Sequence, residues 1–121
     1  MKLFSYSSCS TCRRAIKWLK NNDIAFKLID LLKFPPSKEI LISASELYGD
    51  RKYLLNTSGV MYRSIGSDVI KKMTDKEFFE QLCMEPRLIK RPFLYKSNKC
   101  FLVGFKEEKW AEKLLLNSHE G

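Results

Sequence analysis

Cys9-Ser10-Thr11-Cys12 sets two thiols between a short apolar run, Leu3-Phe4-Ser5-Tyr6, and a segment in which Cys12, Ala15, Ile16 and Leu19 recur at helical spacing. The run before the pair is short and apolar enough for a buried strand, and the segment after it is an amphipathic helix. Cys9 then falls at or just before a helix N-terminus. There the free backbone N–H groups and the positive end of the helix dipole favour an anion, and Arg13 adds to them, so the Cys9 thiol should ionise more readily than a free cysteine. Cys9 is the candidate nucleophile. Cys12 lies one turn further in, on the face turned to the sheet, within reach of a sulfur bonded to Cys9, and is the candidate resolving thiol.

A C-x-x-C pair also has blander readings, as half of a zinc site or as two cysteines that merely pack. The other cysteines, Cys83 and Cys100, are far apart in sequence and do not form the second close pair of a zinc ribbon, although a fold could still gather all four. No metal is expected. A C-x-x-C after a strand and before a helix reads as thioredoxin-like redox chemistry.

The 121 residues suffice for one domain with its own core, and 45% hydrophobic content with 12% aromatics suits a globular chain. Met1-Lys2 leads straight into the first strand with no signal-peptide core, and no run of about eighteen apolar residues occurs to span a bilayer. A cytoplasmic protein with no membrane partner is expected, its cysteines reduced at rest and any disulfide transient. The net charge of +8 attracts anions, from small oxyanions to glutathione or nucleic acid. Arg13, Arg14, Lys17 and Lys20 share the outer face of the first helix, but no basic tail or DNA-binding motif is present, so direct DNA binding is not expected.

Further along, Asn21-Asn22-Asp23 stops the first helix and Ile24 to Leu32 reads as a second strand, parallel to the first because a helix crosses between them. Phe34-Pro35-Pro36 breaks the chain, Ser37 is placed to cap a second helix with Ile40, Leu41, Ala44 and Leu47 on its apolar face, and Tyr48-Gly49-Asp50 ends it. Arg51 to Met73 weakens into short helical pieces around the Asn56-Thr57-Ser58-Gly59 turn, with Arg63 just beyond. Thr74-Asp75-Lys76-Glu77 has the form of a capping box ahead of Phe78, Phe79, Leu82 and Cys83, with Cys83 reading as a buried small hydrophobe. Phe93 to Lys96 and Cys100 to Phe105 form a hairpin around Ser97-Asn98-Lys99, and a last helix is expected over Glu107 to Asn117 with Trp110, Ala111, Leu114 and Leu115 on one face. His119, the single histidine, lies in the tail and is a poor base or metal ligand. The order is β-α-β, a helical middle, then β-β-α. It predicts one α/β domain over residues 1–121, a thioredoxin-like fold with a four-stranded mixed sheet flanked by helices and a helical insertion over about 37–88.

Cys9-Ser10-Thr11-Cys12-Arg13, Asn56-Thr57-Ser58-Gly59 with Arg63, Leu88-Ile89-Lys90-Arg91-Pro92 and Val103-Gly104-Phe105, in that order, resemble the arsenate reductase (ArsC)/Spx family over nearly the whole chain. The resemblance implies that Cys9 is the thiol that attacks arsenate in true reductases and the first cysteine of the redox switch in Spx-type regulators. It further implies that Arg63 and Arg91 help to hold an oxyanion, for which a forked guanidinium is well shaped, and that Pro92 matches the family's cis-proline beside the cysteine loop. Two departures stand out. Glutaredoxin-coupled reductases carry a third arginine where this chain reads Phe101 to Trp110 without one, and Lys106 cannot supply the planar fork. Those enzymes need no partner thiol at Cys12, whereas Spx-type members carry the C-x-x-C pair.

Two functions are therefore expected from different classes. One is an ArsC-like thiol oxidoreductase with Cys9 and Cys12 reacting, Arg13, Arg63 and Arg91 around an oxyanion or a thiol/disulfide substrate, no bound cofactor, and glutathione with glutaredoxin, or thioredoxin, as reductant. The other is an Spx-like regulator that docks on RNA polymerase and uses the Cys9–Cys12 disulfide as a switch.

Overall fold

The computed structural model describes residues 1–116, and the expected end of the last helix at Asn117 and the tail residue His119 lie outside the described residues. The chain divides into two compact units, Met1–Ile29 with Arg91–Gly121, and Asp30–Lys90.

The first unit is built on a sheet. Strands β1 (Lys2–Ser5), β2 (Lys27–Asp30), β3 (Phe93–Ser97) and β4 (Cys100–Val103) lie in the order β2-β1-β3-β4. β1 and β3 run antiparallel with Leu3 opposite Leu94, and β3 and β4 form the expected hairpin with Leu94 opposite Leu102. The β3–β4 register shifts between Tyr95 and Ser97, so the hairpin carries an irregularity at its turn end. The sheet is mixed, as expected. Helix α1 (Ser10–Asn21) buries Cys12, Ala15 and Leu19 of the four residues its spacing singles out, with Ile16 partly buried against the core, and leaves Arg13, Arg14, Lys17 and Lys20 exposed. Its far end is closed by the Asn22 side chain, whose Nδ2 donates to the Trp18 carbonyl at 2.9 Å.

The core gathers Leu3, Ala15, Leu19, Leu94, Leu102, Trp110 and Leu114 into one cluster. Trp110, on α6 (Glu107–Ala111), meets Trp18 and Phe105 edge-on at 6.3 and 5.0 Å between ring centroids. Its indole N–H donates to the Gly104 carbonyl at 3.0 Å, so the buried ring leaves no polar atom unsatisfied. Gly104 has φ +73°, a conformation that side chains oppose, and its own N–H donates to the Pro92 carbonyl at 2.8 Å. The helix expected to run on from Glu107 instead changes after Ala111 into a wider π-type turn over Glu112–Leu116. The expected second strand is also shorter than the Ile24–Leu32 run, and most of it is exposed, because β2 is an edge strand with Leu28 facing outward.

The second unit is helical. It contains α2 (Lys38–Tyr48), a 3₁₀ turn over Arg51–Leu54, α3 (Val60–Ile65), α4 (Ser67–Lys71), α5 (Asp75–Met84) and a 3₁₀ turn over Pro86–Leu88. The Ser37 hydroxyl caps α2 through the Ile40 N–H at 3.2 Å, and Gly49 ends the helix with φ +85°. The Thr74 capping box forms at the start of α5: Glu77 N–H donates to Thr74 Oγ1 at 3.1 Å and Thr74 N–H to Glu77 Oε1 at 2.9 Å. Two expectations fail in detail. Leu47 faces solvent, because α2 buries Leu41, Ala44 and Ser45 instead, and Cys83 is only partly buried, at the margin of the α5 face that covers Phe78, Phe79 and Leu82.

The irregular stretch between α2 and α5 is held by Arg51. Its guanidinium lies 4.6 Å from the Phe78 ring centroid and donates to the Met73 carbonyl at 2.6 Å, the Ile70 carbonyl at 3.4 Å and Asp75 Oδ1 at 2.8 Å. An isolated antiparallel bridge pairs Leu55 with Ile89, flanked by Lys90 N–H to the Leu54 carbonyl at 2.7 Å and Asn56 N–H to the Leu88 carbonyl at 2.8 Å.

Candidate functional site

Cys9 is the N-cap of α1. Its backbone is extended, with φ −95° and ψ 113°, and its Sγ accepts the backbone N–H of Cys12 at 3.1 Å. A cysteine thus holds the place that serine, threonine or aspartate usually takes, satisfying an orphan amide at the helix start with sulfur. The first turn of α1 carries no acidic residue to oppose negative charge there. Cys9 is partly exposed and Cys12 is buried, so a reagent from solvent meets Cys9 first.

The loop before the helix is braced at both ends. Cys9 N–H donates to the Tyr6 carbonyl at 3.0 Å, and the Arg13 guanidinium reaches back from α1 to the Ser7 carbonyl at 3.0 Å. Arg14 makes a longer bond, 3.4 Å, to Thr11 Oγ1. Arg13 therefore stiffens the cysteine loop as well as adding charge to its rim.

Burial pushes the Cys12 thiol up to about 12, and its hydrogen bond with Cys9 and the charge on Cys9 push the same way. Two influences oppose them, a hydrogen bond from the Tyr6 main chain and the positive charge of Arg91. Arg91 comes from the segment before β3, and its guanidinium lies over the Tyr6 ring at 5.0 Å. The bond from Arg91 to Pro92 is cis, and Pro92 is buried. The first unit thus brings Cys9, Cys12, Arg13 and Arg91 to one loop.

Arg63 stands apart from that description. It lies exposed on α3 of the helical unit, its N–H donating to the Gly59 carbonyl at 3.3 Å. The turn before it is tight: a Cβ on Gly59 would come 2.6 Å from Asn56 Nδ2, and Ser58 Oγ donates to Asn56 Oδ1 at 3.2 Å. Burial also pushes the Cys83 thiol up, with Lys38 opposing. Among the described residues no group of three or more His, Cys, Asp or Glu is placed to hold a metal, and no helix is long and apolar enough to cross a membrane.

Tyr6 is the site residue that sequence reasoning missed. Its place at the end of the first apolar run marks it as a strand residue, but β1 ends at Ser5 and Tyr6 begins the cysteine loop. No pattern signals a ring that receives a guanidinium from a residue 85 positions away.

Comparison with known proteins gives a consistent picture. The family model described as the ArsC family matches residues 4–113. YusI, an uncharacterised protein of Bacillus subtilis, is 37% identical over 114 residues, which cover 93% of this chain and 96% of that one. The Bacillus subtilis regulatory protein MgsR is 30% identical over 106 residues, 87% of this chain and 82% of the other. The crystal structure of an ArsC-family-related protein from Bacteroides fragilis superposes with a TM-score of 0.82 at 34% identity, covering 92% of this chain and 94% of that one. The fold held in common is the thioredoxin-like one.

Proposed function

Since the chain belongs to the ArsC family, we propose that it is a thiol oxidoreductase in which Cys9 attacks and Cys12 resolves. The observation that carries this reading is the placement of Cys9 Sγ as the cap of α1, accepting the Cys12 N–H at 3.1 Å with Cys12 buried one turn behind it. An N–H aimed at sulfur, at the positive end of a helix, stabilises negative charge on Cys9 before attack and when it departs as a leaving group.

With a disulfide substrate the Cys9 thiolate forms a mixed disulfide and expels one substrate thiolate. Cys12, having given up its proton to solvent, then attacks Cys9 Sγ, forms the Cys9–Cys12 disulfide and expels the second substrate thiolate. The substrate gains two electrons, the protein loses two, and an external thiol, glutathione with glutaredoxin or thioredoxin, returns them. For an oxyanion the start of α1, Arg13 and Arg91 supply donors, and the family resemblance assigns Arg63 to the same task. The arginine absent from Phe101 to Trp110 removes one forked contact, about 1.5–3 kcal/mol, which is about ten- to a hundredfold in oxyanion affinity.

A regulator of the Spx kind is the second reading, favoured by the similarity to MgsR, which is named a regulatory protein. The same thiol pair would then act as a switch on RNA polymerase binding. Three measurements separate the readings: disulfide mapping after mild oxidation, arsenite production with glutathione and glutaredoxin, and polymerase binding by the reduced and oxidised protein. A reversible Cys9–Cys12 disulfide with slow arsenate turnover is expected, and Cys12→Ser should hold a disulfide substrate on Cys9. Efficient arsenate reduction that survives Cys12→Ser would restore a one-thiol reductase. Polymerase binding that depends on the disulfide, without turnover, would make the protein a switch.

A further inference from the structure

Arg14, Lys17, Trp18 and Asn21 take no part in the thiol chemistry, yet they share one stripe of α1. With Phe105, from the turn after β4, and Glu107, the first residue of α6, they line a hollow of about 440 Å³ wholly within the first unit. That volume lies in the range of small-molecule sites. From its N-terminal end the stripe runs cation, cation, aromatic ring, amide, over about 10 Å at the rise of a helix. We propose that the hollow binds a purine nucleoside monophosphate, its phosphate on Arg14 and Lys17, its base stacked on the Trp18–Phe105 wall and its base edge at Asn21. The proposal goes beyond the thiol-pair reading and does not depend on it.

The aromatic wall is held in place by the core behind it. Trp18 and Phe105 are partly buried with their ring centroids 6.2 Å apart, and both pack on buried Trp110, at 6.3 and 5.0 Å. Trp110 is fixed in turn by its bond to the Gly104 carbonyl, next to Phe105 in the chain. Rings held this way offer a stacking face with little motion left to lose on binding. The cations are available as well. Among the described residues Arg14, Lys17 and Glu107 form no ion pair, the two pairs being Lys38–Glu80 and Arg51–Asp75, and Arg14 makes a long bond of 3.4 Å to Thr11 Oγ1. Glu107 narrows the choice of ligand. A carboxylate beside two cations opposes a ligand that is anionic throughout and suits one with its charge at one end and N–H donors at the other. A base amino group can donate to a carboxylate, and a side-chain amide matches the edge of adenine. One wall, one amide and a span of about 10 Å fit a single nucleotide rather than a strand.

The test titrates the full chain with adenosine monophosphate (AMP) and follows it by NMR. The 2 tryptophans give separate indole N–H signals, which Trp18→Phe assigns. AMP should move the Trp18 signal further than that of buried Trp110 and saturate with a Kd below about 1 mM. Adenosine, which lacks the phosphate, and ribose 5-phosphate, which lacks the base, should each bind at least about tenfold more weakly. Arg14→Gln combined with Lys17→Gln should weaken AMP by about tenfold and leave adenosine little changed, and added salt should act in the same sense. Trp18→Leu should weaken both ligands by about tenfold, and Trp18→Phe, which keeps a ring, by less, with the backbone amides of α1 as the readout. Cys9→Ser should bind AMP as the parent does. Thermal melts of each variant identify any loss that comes from unfolding.

AMP shifts that do not saturate below about 1 mM would overturn the proposal. So would a folded Cys9→Ser that no longer binds, since the nucleotide would then sit at the thiol loop, or a doubly substituted Arg14 and Lys17 variant that loses AMP and adenosine equally. A single-stranded oligoadenylate bound far more tightly than AMP would make the face a nucleic-acid surface and overturn the proposal too. Each of these results leaves the thiol-pair reading to its own test, the mapping of the Cys9–Cys12 disulfide.

Discussion

In the unit that carries the thiols, the apolar residues of β1, α1, β3, β4 and α6 close on one cluster around Trp110, and each element contributes at the spacing its secondary structure dictates. In Asp30–Lys90, Leu41, Ala44, Phe78, Phe79 and Leu82 form helix faces of the same kind, but the irregular chain between those helices converges on the guanidinium of Arg51. The contrast is one of concentration. A cluster of many apolar side chains spreads its stability over all of them, while a polar hub puts several carbonyls at the mercy of one residue.

Substitutions measured by denaturant unfolding test that contrast. Trp110→Ala should have the largest effect, about 3–5 kcal/mol, because it empties a large volume at the centre of the first unit. Arg51→Ala should cost about 2–4 kcal/mol by leaving the Met73 and Ile70 carbonyls without their donor and removing the contact with Phe78, whereas Asp75→Asn should cost less than about 1 kcal/mol because Asp75 is exposed. If the two were equal, Arg51 would be a surface ion pair and the contrast would collapse.

Cys12 gives the next effect, read through pH. Its folded-state value is raised, so the stability it contributes is whole below about 9 and is lost as pH climbs from there toward about 12. Denaturant unfolding across that range should show stability falling as pH rises, and Cys12→Ala should flatten that part of the profile. Thr74→Ala should have the smallest effect, about 1 kcal/mol, since it removes one half of a capping box on a helix whose apolar face remains. A loss several times larger would show that α5 depends on its cap more than on its core.

What was legible in the sequence follows the same division. α1, α2, α5 and the hairpin could be read because each carries its own period and its own start or stop signal: the Cys12-Ala15-Leu19 spacing, Ser37 and Gly49, the Thr74–Glu77 box, the Ser97-Asn98-Lys99 turn. Cys9 could be placed because the motif, the strand and the helix are contiguous. Arg51 could not, since its partners lie 19 to 24 residues on and no local pattern encodes a guanidinium that gathers them. Tyr6 was hidden for the same reason, its partner Arg91 belonging to a distant part of the chain. Leu47 and the turn after Ala111 show the other limit, for apolar spacing marks which residues could be buried and neighbouring elements decide which are.

The helix cap formed by Cys9 ties reactivity to local folding. A serine or aspartate in that place would hold the Cys12 amide permanently, but a sulfur changes its power to accept a hydrogen bond whenever it changes its covalent partner. With Cys9 bonded to a substrate or to Cys12, its sulfur would be a weaker acceptor for the amide it holds here. If the thiol pair reacts as proposed, the Cys12 N–H would report the change at Cys9 as a shift of its own amide resonance, with no added label.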